Sequence, residues 1–384
     1  MTGDSAGSKV ERAGPATRVP AAAGTLRGVQ YLRGIAAMMV AYLHLTIQVP
    51  ALQHWLAFRH GIDTANFERG VDVFFVISGF IMVVTARDST PGAFALRRII
   101  RVVPVYWLLT LVLATLALIA PSLLRTTQLT LPALVESLLF VPFRNSAHGG
   151  KFYPLLVPGW TLNFEMFFYG LFAASLFLPA RFRLAALGAT FVAVLLLGAA
   201  VPLDSGAAAL DFYASPRILE FWVGMAIATL HLGGHPRWSV GTALVVSALA
   251  AAALLIDWRE LGIAAASSTA TSFIAIAAAT ALVMAVVALE RGGGMRQFRP
   301  LGILGDASYS IYLTHVFSLA VLRVLWSGCL PAAASVSAAT AFAVLGLATV
   351  AAVGVATYQW IERPMLRATQ RRIQGSGASR ANRN

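Results

Sequence analysis

Charge and cysteine are what this sequence has least of. Only 12% of its 384 residues are charged, and 16 are acidic. A soluble domain carries about 25% charged residues, so a water-facing fold is excluded at the outset. The single cysteine, Cys329, permits no internal disulfide, and its expected place in a short outer loop gives it no evident task. Lysine is nearly missing as well: Lys9 and Lys151 stand alone among many arginines, as in chains from GC-rich bacterial genomes. No internal repeat of 20–50 residues is visible, which disfavours transporters built from repeated halves. No long apolar core precedes the first hydrophobic segment, which argues against a cleaved signal peptide.

What fills the chain is apolar: 58% of residues are hydrophobic, and the mean hydropathy is +0.74. Uncharged stretches of about 17–25 residues, enough to cross roughly 30 Å of hydrocarbon, recur along it. They predict ten spans at 30–52, 70–86, 102–121, 161–180, 184–202, 214–232, 238–256, 261–289, 305–326 and 336–358. The fold class is therefore an all-α integral membrane protein, about ten helices in one bundle. Residues 1–28 are expected to be a disordered cytoplasmic tail, 29–362 the transmembrane domain, and 363–384 a basic cytoplasmic tail.

The arginines orient this bundle. With both termini cytoplasmic, most of the 29 Lys+Arg fall on one side: Lys9 to Arg33, Arg87 to Arg101, Arg181 and Arg183, Arg237, Arg291 to Arg299, and Arg363 to Arg383. The net charge of +13 thus reads as topological signal and attraction to anionic lipid, not as nucleic-acid binding. One segment is awkward. LPALVESLLFVPF, within 121–160, is short, carries Glu136 and is bracketed by prolines, so it is expected to lie on the outer surface or re-enter rather than cross.

Ionisable residues inside apolar segments cost about 2.5–3.5 kcal/mol each even on a lenient insertion scale, so they mark interior or wet positions. Arg33 and His44 bound the stretch RGIAAMMVAYLH. Eleven residues make three turns plus about 20°, which sets both side chains on one helix face, about 16 Å apart along the axis. The arginine could anchor a helix end, and the histidine could be a structural hydrogen-bonder. In GVDVFFVISGFIM, Asp72 falls at the outer helix start, where it could be merely solvated, with Ser78 and a helix-packing Gly79 inside. RRIIR places Arg98 and Arg101 three apart, suited to phosphate pairing or to membrane anchoring. Glu165 lies among Trp160 and several other aromatic rings, either paired or held neutral. Arg217 and Glu220 are spaced to satisfy each other. Ser308, Tyr312 and His315 form one polar stripe which, with His44 and Glu165, implies a polar cavity in the bundle.

These residues resemble the acyltransferase-3 family of membrane O-acyltransferases, in particular its exopolysaccharide-production branch. The similarity runs over about residues 28 to 366 and rests on Arg33 and His44, GVDVFFVISGF, RRIIR with Pro104 and Tyr106-Trp107, GWTLNFEMFFY, ILEFWVGM, LGDASYSIYLTH and YQWIERP, all in the family's order. The resemblance implies a bacterial cytoplasmic-membrane enzyme that moves an acyl group, typically acetyl from acetyl-CoA, to a hydroxyl of a surface polysaccharide or lipid-linked glycan, without a metal. It implies His44 as the essential histidine, Arg33 as its partner, and Arg98 and Arg101 as the cytoplasmic arginine motif. Arg33 could also hold the donor. Glu165 and His315 are carried as further catalytic candidates, and Asp72, Ser78, Trp160, Ser308 and Tyr312 as candidate lining of the substrate cavity. A small lipophilic acceptor, or a transporter or flippase whose polar stripes line a path, are the alternatives.

Overall fold

The computed structural model describes residues 26–48, 64–87, 89–121, 124, 127–201, 207–256, 258, 268–329 and 336–368. Among these the chain is helical. The elements are α1 (Arg27–Gln48), α2 (Gly70–Thr85), α3 (Pro91–Ile119), α4 (Leu131–Leu138), α5 (Trp160–Ser175), α6 (Ala180–Ala200), α7 (Ala208–Tyr213), α8 (Ile218–Leu232), α9 (Val240–Leu255), α10 (Ser268–Arg291), α11 (Arg299–Asp306), α12 (Ser308–Cys329) and α13 (Val336–Thr357), which continues into a π-helical turn at Tyr358–Glu362. The ten predicted spans overlap helices where they are described; residues 49–52, 202 and 261–267 of those spans, and residues 1–25 and 369–384 of the expected tails, lie outside the described residues.

Among the described residues five helical stretches are long and apolar enough to cross a membrane: Pro91–Ile119, Ala180–Ala200, Ala270–Arg291, Ser308–Trp326 and Ser337–Ala368. Their outward residues agree with a hydrocarbon surrounding, since Ile119, Leu196, Val321 and Val344 are largely exposed. α3 starts well before the predicted residue 102. Thr90 caps it, its hydroxyl accepting from the Ala93 N–H at 3.3 Å, and Pro91 occupies the first turn, where its missing N–H costs nothing. In the 121–160 segment the apolar run makes only the eight-residue α4, capped by Thr130, and two single 3₁₀ turns at Ser146–His148 and Val157–Gly159. Eight residues rise about 12 Å, too little to cross.

α1 lies at the centre, packed against α2, α10, α11, α12 and α13. Its first turn is fixed from another helix: the Glu290 carboxylate at the end of α10 accepts from the Arg27 and Gly28 N–H groups at 2.6 and 2.8 Å. Those donors have no partner within α1, and an anion suits the positive helix end. α2 and α8 approach most closely. A methyl group on Gly79 would stand 2.0 Å from the Phe221 carbonyl oxygen, and one on Gly224 would stand 2.0 Å from that of Val76. The two glycines therefore let the backbones touch, as expected for small residues between membrane helices. That contact holds α2, and with it Ser78, against the bundle interior.

Candidate active site

α1, α2, α3, α5 and α12 enclose a cavity of about 300 Å³. Arg33, Ser78, Arg98, Arg101, Glu165, Ser308 and Tyr312 all line it, joined by Gln30, Thr161, Tyr169, Asp306, Tyr309 and Tyr358. Seven of the residues singled out in the sequence therefore meet in one chamber. Sequence spacing did not identify Gln30 or Thr161; each stands about one turn before a residue that spacing did identify.

The arginines cluster on the side of the chamber that carries the basic loops. Arg33 donates to the Gln30 side-chain oxygen at 3.2 Å, and the Gln30 amide donates onward to Asp306. Arg98 donates to Thr85 Oγ1 at 2.6 Å and lies over the rings of Phe94 and Tyr169, 5.3 and 5.7 Å from their centres. Arg97, next to it, turns away to Ser89. Arg101 alone of the three lining guanidiniums has an ion pair among the described residues, at 2.7 Å to Glu362. In the chamber wall, Ser78 donates to Glu165 Oε1 at 2.7 Å, which couples α2 to α5. This bond accounts for a carboxylate that stands amid aromatic rings.

Tyr312 closes the inner end. Its hydroxyl donates to the Pro158 carbonyl at 3.1 Å and takes a 3.0 Å hydrogen bond from Thr161. Behind this closure lie His44 and His315, ring centres 4.8 Å apart, the His315 ring 5.9 Å from that of Tyr312. His44 Nδ1 is 2.9 Å from the Val40 carbonyl, and His315 Nδ1 is 2.6 Å from that of Tyr312. A carbonyl oxygen can only accept, so both Nδ1 atoms carry hydrogen, and in the neutral ring each Nε2 keeps a free lone pair. His315 Nε2 is buried and has no hydrogen-bond partner among the described residues. The cavity implied by the polar stripe therefore takes in only part of it: Ser308 and Tyr312 line the chamber, whereas His44 and His315 are not among its lining residues. The stripe runs along α12 as expected, but the Tyr312 hydroxyl bonds across to Pro158 and Thr161 at the start of α5.

Asp72 and Trp160 lie apart from the chamber lining. Asp72, far from being a solvated helix-start residue, is 3% exposed. It receives Arg217 Nε at 3.5 Å and Arg69 at 4.0 Å. Arg217 reaches Glu68 at 2.8 Å and stacks over Trp160 at 5.0 Å. The local pair expected between Arg217 and Glu220 is accordingly corrected: the ion pairs of Arg217 run to α2 and to the 3₁₀ turn before it. Sequence reading missed Glu68, which lies in that short turn, Thr64–Arg69, and not in an apolar run. Among the described residues, no three or more His, Cys, Asp or Glu side chains gather as metal ligands.

The exopolysaccharide production protein ExoZ of Rhizobium meliloti (strain 1021) is 42% identical over 322 residues, covering 81% of this chain and 94% of that protein. No solved structure matches. An acyltransferase domain is matched over residues 26–358, nearly the whole helical region. By that match the chain belongs to the acyltransferase-3 family and is an O-acyltransferase.

Proposed function

We propose that the protein transfers an acyl group, acetyl by preference, from acyl-CoA to a hydroxyl of a surface polysaccharide or its lipid-linked precursor. It would do so in the bacterial cytoplasmic membrane, with ten spans and both termini inside. One observation carries the reading: a chamber with three guanidiniums on one side ends at a tyrosine, and two histidines lie just behind it. Phosphates of a CoA donor suit the guanidiniums, which bind them through charge-assisted, bidentate hydrogen bonds. The acyl arm would then extend toward Tyr312. The polysaccharide acceptor is supported by the name of the relative from Rhizobium meliloti.

In the reaction His44 Nε2 takes the proton of the acceptor hydroxyl, and the oxygen attacks the thioester carbonyl. The carbon–sulfur bond breaks, and CoA leaves as thiolate and collects a proton. His315, packed against His44, fixes the orientation of the base. The Tyr312 hydroxyl must release Pro158 or Thr161 for the acyl carbon to pass. Glu165 and Ser78 hold the donor arm in the chamber, and neither Asp72 nor Trp160 touches it; those two belong to the far end, where the acceptor is expected.

Membranes containing the protein, incubated with labelled acetyl-CoA and cell-envelope glycans, should yield label in glycan that mild base releases as acetate. Label recovered only in small lipophilic material would replace the acceptor. No labelled product at all would favour a transporter and overturn the reading. The topology has its own check: reporters fused after residues 92 and 294 should read as cytoplasmic, and one near 147 as external. An internal signal at 147 would reverse the orientation of α5 and every later helix.

A further inference from the structure

The segment YQWIERP lies in the last described helical stretch and has no task in the transfer step as written above. Its carboxylate is placed unusually. Glu362 is 0% exposed and does not itself line the chamber, yet it meets Arg101, which does. One oxygen meets Arg101 Nη1 at 2.7 Å, and the other accepts from the Ser310 hydroxyl at 2.6 Å.

Two local features of the chain put it there. Gly354 brings α13 against α12, because a methyl group at that position would stand 2.3 Å from an Ile311 side-chain carbon. One turn on, the backbone widens to the π-helical turn Tyr358–Glu362, which rotates the following side chain relative to a regular helix. Glu362 thereby points back between α3 and α12, toward Ser310 and Arg101.

The consequence is a division among the three guanidiniums. Among the described residues no carboxylate lies within ion-pair distance of Arg33 or Arg98, which have only a neutral amide, a hydroxyl and ring faces. Arg101 is held from both sides, by Glu362 and by the Tyr309 ring at 6.0 Å. A guanidinium has five N–H groups, so the pair to Glu362 leaves others free to face the chamber.

We propose that Glu362 is a positioning residue for the acyl donor: it fixes Arg101 in the chamber wall with its remaining N–H groups toward the donor phosphates, while Arg33 and Arg98 meet those phosphates with only neutral partners behind them. This rests on the acyl-CoA reading above. An arginine with long, free torsions would otherwise be ordered at the moment of donor binding, at a cost to affinity. Glu362 orders it beforehand.

The test is initial-rate kinetics in membranes with acetyl-CoA as the varied donor. Glu362→Gln keeps the shape and can still accept from Ser310 but loses the ion pair. It should raise the donor KM about tenfold, within the coupling range of neighbours in one charged network. The kcat at saturating donor should stay within about twofold, since the base is untouched. Combining Glu362→Gln with Arg101→Gln should be no worse than Arg101→Gln alone, because Glu362 acts through Arg101. Combining it with Arg98→Gln should multiply the two effects. A purely structural carboxylate would lower the amount of active enzyme and leave KM in place. Ser310→Ala, which spares the ion pair and removes the second anchor, should move KM the same way by about threefold, near the worth of one hydrogen bond; it decides the matter if Glu362→Gln fails to accumulate. An unchanged KM in the variant that accumulates, or independent effects of Glu362 and Arg101, would overturn the positioning role alone. A wild type that shows no acetyl-CoA-dependent transfer would overturn the donor reading and this role together.

Discussion

Replacing His44 by alanine is expected to reduce acyl transfer by about 10²–10⁴-fold, the usual contribution of a positioned general base. An alcohol hydroxyl is a poor nucleophile until its proton is taken, and imidazole is the side chain that can take it near neutral pH. The geometry specifies which nitrogen does so. Val40 is one turn before His44 on α1, and its carbonyl holds the Nδ1–H at 2.9 Å. The free lone pair is thereby assigned to Nε2. His44→Gln, which retains a hydrogen-bonding amide, should restore little, because an amide nitrogen has no basic lone pair to offer. Donor affinity should survive in both variants, since His44 is not in the lining of the arginine chamber. Acetyl-CoA binding to the purified variants, read beside the transfer rate, separates the two effects. A wild-type transfer rate in correctly inserted His44→Ala protein would remove the base from the mechanism.

Much of this arrangement is legible in the sequence alone. The helices and the face shared by Arg33 and His44 follow from apolar length and a 100° step, both local properties of the chain. Gly79 could likewise be read as a helix contact, because only a residue without a side chain is useful at that position. What could not be read was which helix each polar group would answer. Arg217 and Glu220 have the spacing of a local pair, but Glu68 and Asp72 lie closer in space and draw the guanidinium across to them. Tyr312 lines the chamber and the histidines do not, and its hydroxyl bonds to the start of another helix. Nothing in the periodicity of α12 encodes that bond. Glu362 was hidden for a related reason: its direction is set by a π-helical turn, which a regular 3.6-residue repeat does not anticipate.

Arg33→Ala is expected to raise the apparent donor KM by about 10–100-fold, corresponding to the roughly 1.5–3 kcal/mol of a hydrogen bond to a charged group. Arg33 is a cation on a helix rich in apolar residues, and its partner is the neutral Gln30 oxygen at 3.2 Å. Among the described residues no carboxylate stands within ion-pair distance, although Asp306 is one hydrogen bond away through Gln30. Gln30 therefore aims the guanidinium without neutralising it, which leaves its charge for a ligand. An arginine that served only to anchor α1 at the membrane face would instead lose little on truncation, because Glu290 already fixes the first turn of that helix. The same argument predicts the order of rescue. Lysine supplies the charge but not the planar fork, so Arg33→Lys should recover only part of the affinity. Gln30→Ala should weaken donor binding less than Arg33→Ala, by releasing the guanidinium from its aim while keeping its charge. The kcat at saturating acetyl-CoA should change little in all three, since the base stands about three helical turns away. Donor saturation curves that coincide for wild type and Arg33→Ala would return the residue to the role of a membrane anchor, and would leave Arg98 and the Arg101–Glu362 pair as the donor's contacts.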